Sequence, residues 1–135
     1  SKQDIKEEYK EVEGNPQIKS RIRQIQRQMA RSRMMKDVER ADVVITNPTH
    51  YAVALAYDSA LHNAPVVLAK GADKLAERIK EIASNNDIPV VENEALAQTL
   101  YRTVEVGDEI PETLYQAVAE ILAFIYSLKG EEVMK

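Results

Sequence analysis

The sequence predicts an α/β fold: a small mixed, mostly parallel four-stranded sheet flanked by helices and preceded by an N-terminal basic helical linker. Three patterns carry that expectation. Val43-Val44-Ile45 is a short β-branched run of the kind found in strands covered on both faces. Tyr51, Val53, Leu55 and Tyr57 alternate with Ala52, Ala54 and Ala56, a period of two that puts large side chains on one face and alanines on the other. Pro65 to Ala69 then reads as a strand, a helix follows, and Ile88-Pro89-Val90-Val91 reads as a strand again. That order implies a right-handed crossover between parallel neighbours.

Taken in order, residues 1–14 are polar, mixed in charge and end in Gly14, a loosely ordered lead-in. Asn15-Pro16 has the form of a helix start, with Asn15 as N-cap and Pro16 in the first helical position. Ile18, Ile22, Ile25 and Met29 recur at helical spacing as a narrow apolar stripe that needs a partner or a neighbouring surface. The compact domain is expected to begin near Ala41, giving a linker arm over 1–40 and a domain over 41–135. After the third strand come Lys70-Gly71 and a helix from about Asp73 with Leu75, Ile79 and Ile82 on one face. Ser84-Asn85-Asn86-Asp87 ends it, and Asn93 can cap a short helix presenting Leu96 and Leu100. Pro111 opens a last helix running to about Lys129, with two apolar stripes: Leu114, Val118, Ile121, Ile125 and Leu128, and beside them Tyr115, Ala119, Leu122 and Tyr126. Either both stripes are buried, or the second is exposed and marks a docking groove for an apolar peptide or partner; Ala64-Pro65, at a strand entrance, could add to such a patch, though nothing in the sequence brings the two together.

Composition narrows the function classes. An apolar share of 44% and a charged share of 30% are those of a soluble globular protein. No run reaches the roughly 18 apolar residues of a membrane span, and the polar opening is no signal peptide. The absence of cysteine excludes disulfide and thiolate chemistry and fits a reducing compartment. With His50 and His62 the only histidines, no metal site is expected, and no motif calls for a cofactor. One glycine at position 71 is not a phosphate loop, and no paired carboxylates or triad spacing points to a small-molecule enzyme. His62 has no partner at a suggestive spacing.

The net charge of −4 conceals an asymmetry. Residues 19–40 carry eight basic and two acidic side chains, whereas residues 41–135 carry seven basic and fifteen acidic ones. The basic arm lacks aromatic residues to stack bases and adjoins an acidic domain, so nucleic-acid binding is disfavoured. An anionic membrane surface suits it better.

The most informative residues are Asn47-Pro48-Thr49-His50, between the first two strands. Asn-Pro is ordinary turn chemistry. It also closes the usual deamidation route of Asn, because Pro48 has no backbone N–H to attack the side chain. The reverse attack remains open: the Asn47 side-chain nitrogen adds to its own backbone carbonyl, closes a succinimide and expels Pro48 as a new N-terminus. An amide is a poor nucleophile, so the turn must hold the reacting atoms close and aim donors at the oxyanion. The Thr49 hydroxyl and His50 imidazole are the candidates for polarising the carbonyl or protonating the departing nitrogen.

This tetrapeptide, preceded by Ala41-Asp42-Val43-Val44-Ile45-Thr46 and followed by Tyr51-Ala52-Val53-Ala54-Leu55, resembles the signature of the type III export switch proteins, the flagellar FlhB family and injectisome relatives such as YscU. The likeness continues through Ala69-Lys70-Gly71, Ile88-Pro89-Val90-Val91-Glu92, Leu100-Tyr101, Val106-Gly107, Ile110-Pro111 and Leu114-Tyr115 to Ala117-Val118-Ala119-Glu120. It implies single-turnover self-cleavage between Asn47 and Pro48 and no enzymatic turnover. It further implies a place on the cytoplasmic side of a bacterial inner membrane, after a transmembrane portion. The implied partners are the export-gate membrane subunit, a hook-length control protein and the exported substrates.

Overall fold

The computed structural model describes residues 14–134, the last four by backbone alone. The chain divides into two compact units, Ser1–Arg33 and Met34–Lys135. Apart from Gly14, the expected lead-in lies outside the described residues. Helix α1 spans Pro16–Asp37. Asn15 caps it as expected, its Oδ1 accepting from the backbone N–H of Gln17 at 2.9 Å and of Ile18 at 3.3 Å. The stripe of Ile18, Ile22, Ile25 and Met29 is exposed, by 40% to 58%.

The second unit is built on strands β1 (Val43–Asn47), β2 (Tyr51–Ala56), β3 (Val66–Ala72) and β4 (Val90–Glu92), in spatial order β3-β2-β1-β4. The sheet is mixed, but mostly antiparallel rather than mostly parallel. β1 pairs antiparallel with β2, β2 antiparallel with β3, and only β1 and β4 are parallel. Chain length explains the difference: three residues between β1 and β2 permit nothing but a hairpin, and the loop over 57–65 returns β3 to the other edge of β2. With both edges of β2 taken, β4 joins the free edge of β1. β3 and β4 do run in the same direction, as the strand-helix-strand order implies, but at opposite edges of the sheet.

Period-two alternation sorts the strand residues into two cores. On one face Val43, Ile45, Val53 and Leu55 meet Leu96, Ala97 and Leu100 of α3 (Glu94–Thr103), and Val118, Leu122 and Ile125 of α4 (Tyr115–Met134). On the other, Val44, Ala52, Ala54 and Ala69 meet Ala76, Ile79, Ile82 and Ala83 of α2 (Asp73–Asn85), together with Val38. The alanines of β2 let α2 lie close to the sheet. Gly71 serves the same approach, since a Cβ there would fall 2.7 Å from Leu75 Cγ. Each fully buried Val, Ile or Leu contributes roughly 1.5–3 kcal/mol.

The helix ends follow local chemistry. Asp87 takes a left-handed φ of 57°, which lets the Ile88 N–H reach the Ala83 carbonyl at 2.9 Å and close α2. Asn93 caps α3 by accepting from the Leu96 N–H at 3.1 Å. Gly107, at φ 95°, turns the next loop back on β3, where its N–H bonds the Val67 carbonyl at 2.8 Å. Pro111 precedes a 3-10 turn, Glu112–Leu114, that leads into α4. Of the two stripes on α4, the sheet and α3 cover one width: Val118, Leu122 and Ile125 are buried, while Tyr115, Ala119, Tyr126 and Leu128 are exposed.

Candidate functional site

The tetrapeptide forms the tip of the β1–β2 hairpin. Asn47 is the last residue of β1 and pairs with Tyr51, so Pro48, Thr49 and His50 make up the whole connection. Asn47 is half-buried and the three residues after it are exposed. Alternation along β1 puts Asn47 on the face of Val43 and Ile45, beside Tyr51.

Three carbonyls of this tip are held by donors. The His50 N–H donates to the Asn47 carbonyl at 2.9 Å, and the Asp73 N–H, at the start of α2, donates to the His50 carbonyl at 3.0 Å. Lys80 Nζ, half-buried on α2, donates to the Pro48 carbonyl at 3.0 Å. On the other side of the hairpin the Tyr51 ring stacks on Tyr101 with centroids 4.4 Å apart. Lys70 Nζ bonds the Tyr101 carbonyl at 2.9 Å and lies 5.4 Å from the centre of that ring. Lys70 is thus a structural clamp on α3.

The first of these bonds bears directly on the chemistry of an Asn-Pro turn. A donor on the Asn47 carbonyl polarises it and would sit against the oxyanion formed on attack at that carbon. The group doing so is the His50 backbone N–H. Among the described residues neither the Thr49 hydroxyl nor the His50 ring makes a hydrogen bond, so neither side chain bonds the Asn47 carbonyl in this conformation. Asp73 and Lys80 could not be found by motif, since they reach the turn from 23 and 32 positions along the chain.

The second set of candidate residues comes together in space. Ala64, Pro65, Ala119 and Leu122 line one open depression of about 200 Å³, with Tyr57, Asn63 and Tyr115. The loop that carries Ala64 and Pro65 is pinned by Glu109, whose Oε1 accepts from the Asn63 N–H at 3.0 Å and lies 3.5 Å from His62 Nδ1. His62 therefore has a partner, Glu109, which sequence spacing did not suggest. Further along α4, partial desolvation and secondarily the charge of Asp42 push the Tyr126 phenol above its usual pKa. Among the described residues no cluster of His, Cys, Asp or Glu could hold a metal ion. No helix among them is long and apolar enough to cross a membrane.

The chain belongs to the FlhB HrpN YscU SpaS family, whose model matches residues 1–125. It is 57% identical over 129 residues to the flagellar biosynthetic protein FlhB of Yersinia enterocolitica, covering 96% of this chain and 34% of that protein. The chain thus spans about a third of the length of the curated relatives it matches. Among solved structures it resembles the cytoplasmic domain of FlhB from Shewanella putrefaciens, at 41% identity and a TM-score of 0.73, covering 76% of this chain and 78% of that one. It also resembles a mutated C-terminal domain of EscU, at 30% identity and a TM-score of 0.66, covering 68% and 92%.

Proposed function

We propose that this chain is a self-cleaving switch domain of a flagellar-type export apparatus, acting on the cytoplasmic side of a bacterial inner membrane. The observation that carries the reading is the His50 N–H held 2.9 Å from the carbonyl of an Asn that precedes Pro. In the reaction, Asn47 Nδ2 bonds to the Asn47 carbonyl carbon and the bond from that carbon to the Pro48 nitrogen breaks. The proton lost from Nδ2 ends on the Pro48 nitrogen. The products are a chain ending in a succinimide and a chain beginning with a secondary amine. The event is single-turnover and needs no cofactor.

The sheet order supports a nick that does not separate the fragments. β1 lies between β2 and β4, so the N-terminal fragment keeps hydrogen bonds on both edges, and Val43, Val44 and Ile45 remain fully buried. Cleavage frees only the hairpin tip. In this reading, that release changes which substrates the domain presents to the export gate, from rod and hook proteins to filament proteins, under a hook-length control protein. The depression around Ala64, Pro65, Ala119 and Leu122 is the apolar surface on which exported segments dock. The basic arm lies toward anionic lipid. The 57% identity to a flagellar relative favours the flagellar role over that of an injectisome switch.

Mass spectrometry under denaturing conditions tests the central step. Wild type is expected to give two fragments split between Asn47 and Pro48, and Asn47→Ala a single intact chain with unchanged thermal unfolding. The same two fragments from both proteins would refute the mechanism.

A further inference from the structure

The three bonded carbonyls at the hairpin tip do not have equivalent donors. The bond from the His50 N–H to the Asn47 carbonyl is internal to the hairpin. The other two come from α2, and they hold the tip at two points: the Asp73 N–H holds the His50 carbonyl, and Lys80 Nζ holds the Pro48 carbonyl. Asp73 and Lys80 are seven residues apart, two helical turns, and so lie along one line of α2.

That helix is a firm base for both grips, because Ala76, Ile79 and Ala83 between and beyond them are buried against the sheet. Asp73 also sits at a left-handed φ of 51°, a conformation an L-residue adopts at some cost, and the N–H it carries is the one that meets His50. The Lys80 ammonium differs in kind from the other two donors. It is the one side chain of the three, and it is a cation on a carbonyl next to the bond that is to break. Holding that carbonyl limits rotation about the Pro48 Cα–C bond, where proline's ring has already fixed φ.

We propose that Lys80 is a positioning residue for Asn47 cyclisation. By bonding the Pro48 carbonyl it keeps the departing residue still while the Asn47 side chain closes on its own carbonyl, which lowers the orientational cost of ring closure. The proposal rests on reading the turn as the cleavage site. Lys80 does not donate to the scissile carbonyl, so it acts through the geometry of Pro48, and the reaction without it is slowed, not abolished.

The test is a pulse–chase of the full chain in cell-free translation, with the intact fraction read on denaturing gels for wild type, Lys80→Met and Lys80→Arg. Lys80→Met, of similar length but with no donor, is expected to cleave about tenfold more slowly, and Lys80→Arg to stay within about threefold of wild type. In an Asn47→Ala background, Lys80→Met should leave the thermal midpoint nearly unchanged, which separates positioning from a loss of fold. Cleavage of Lys80→Met at the wild-type rate, or Lys80→Arg as slow as Lys80→Met, would overturn the proposal while leaving self-cleavage standing. A wild-type chain that never cleaves would overturn both.

Discussion

The two candidate sites lie at opposite ends of one strand and are built in opposite ways. At the entry to β2 the hairpin tip is four consecutive residues, three of whose carbonyls are fixed by polar donors. At the exit, roughly 20 Å away for a strand of this length, Tyr57 leads into a depression whose walls come from the 57–65 loop and from α4, more than fifty residues later. A reaction at one peptide bond needs one carbonyl held and one side chain nearby, and consecutive residues can supply most of that. An apolar docking surface needs area, which no short segment has, so it forms only when α4 packs on the sheet.

The contrast can be broken most severely through the strand that both ends share. Leu55 is fully buried in the core beneath β2, and Leu55→Ala should cost about 2–5 kcal/mol in urea unfolding. Slower cleavage and weaker substrate binding should accompany it, since both sites hang from this strand. A sharper test acts at one end. Ala119→Asp places a carboxylate in the exposed wall of the depression, and should weaken binding of a hook-type export substrate about tenfold, or about 1.4 kcal/mol, by titration calorimetry. Its cleavage rate should match wild type; a common loss would mean the two ends are coupled. The smallest effect is expected from Glu109→Ala, which removes an exposed pair with His62 and the acceptor for Asn63. Unfolding should shift by less than about 1 kcal/mol, with cleavage unaffected and the 57–65 loop exchanging amide hydrogen faster.

Much of this architecture is legible residue by residue. Asn15 and Asn93 cap helices because a short side-chain acceptor before a helix has few other uses, and both do so here. The alternation from Tyr51 to Tyr57 sorts large residues and alanines onto opposite faces, and those faces became the two cores. The strand-helix-strand order implies that β3 and β4 are neighbours, and they are not; the antiparallel majority comes from the β1–β2 and β2–β3 pairs. A three-residue strand of Val-Val-Glu carries no signal for its neighbour, and its place beside β1 was decided by which edge remained open. The depression was half legible: Ala64-Pro65 and the second stripe of α4 are visible as apolar surplus, but not their meeting. The grip of Lys80 on Pro48 and of Glu109 on His62 was not legible at all, because a lone charged residue on a helix or in a loop usually faces water.

By itself the sequence determined the turn and which attack by the Asn47 side chain stays open, since proline's missing N–H and the asparagine before it are covalent facts that hold in any fold. It also determined which residues of each strand seek burial, because that follows from a period of two along the chain. Only the tertiary structure decided which strand edges paired, which carbonyls of the turn acquired distant donors, and where apolar surface was left uncovered. Those outcomes depend on the competition among segments for a limited number of edges and faces, and a linear pattern does not contain that competition.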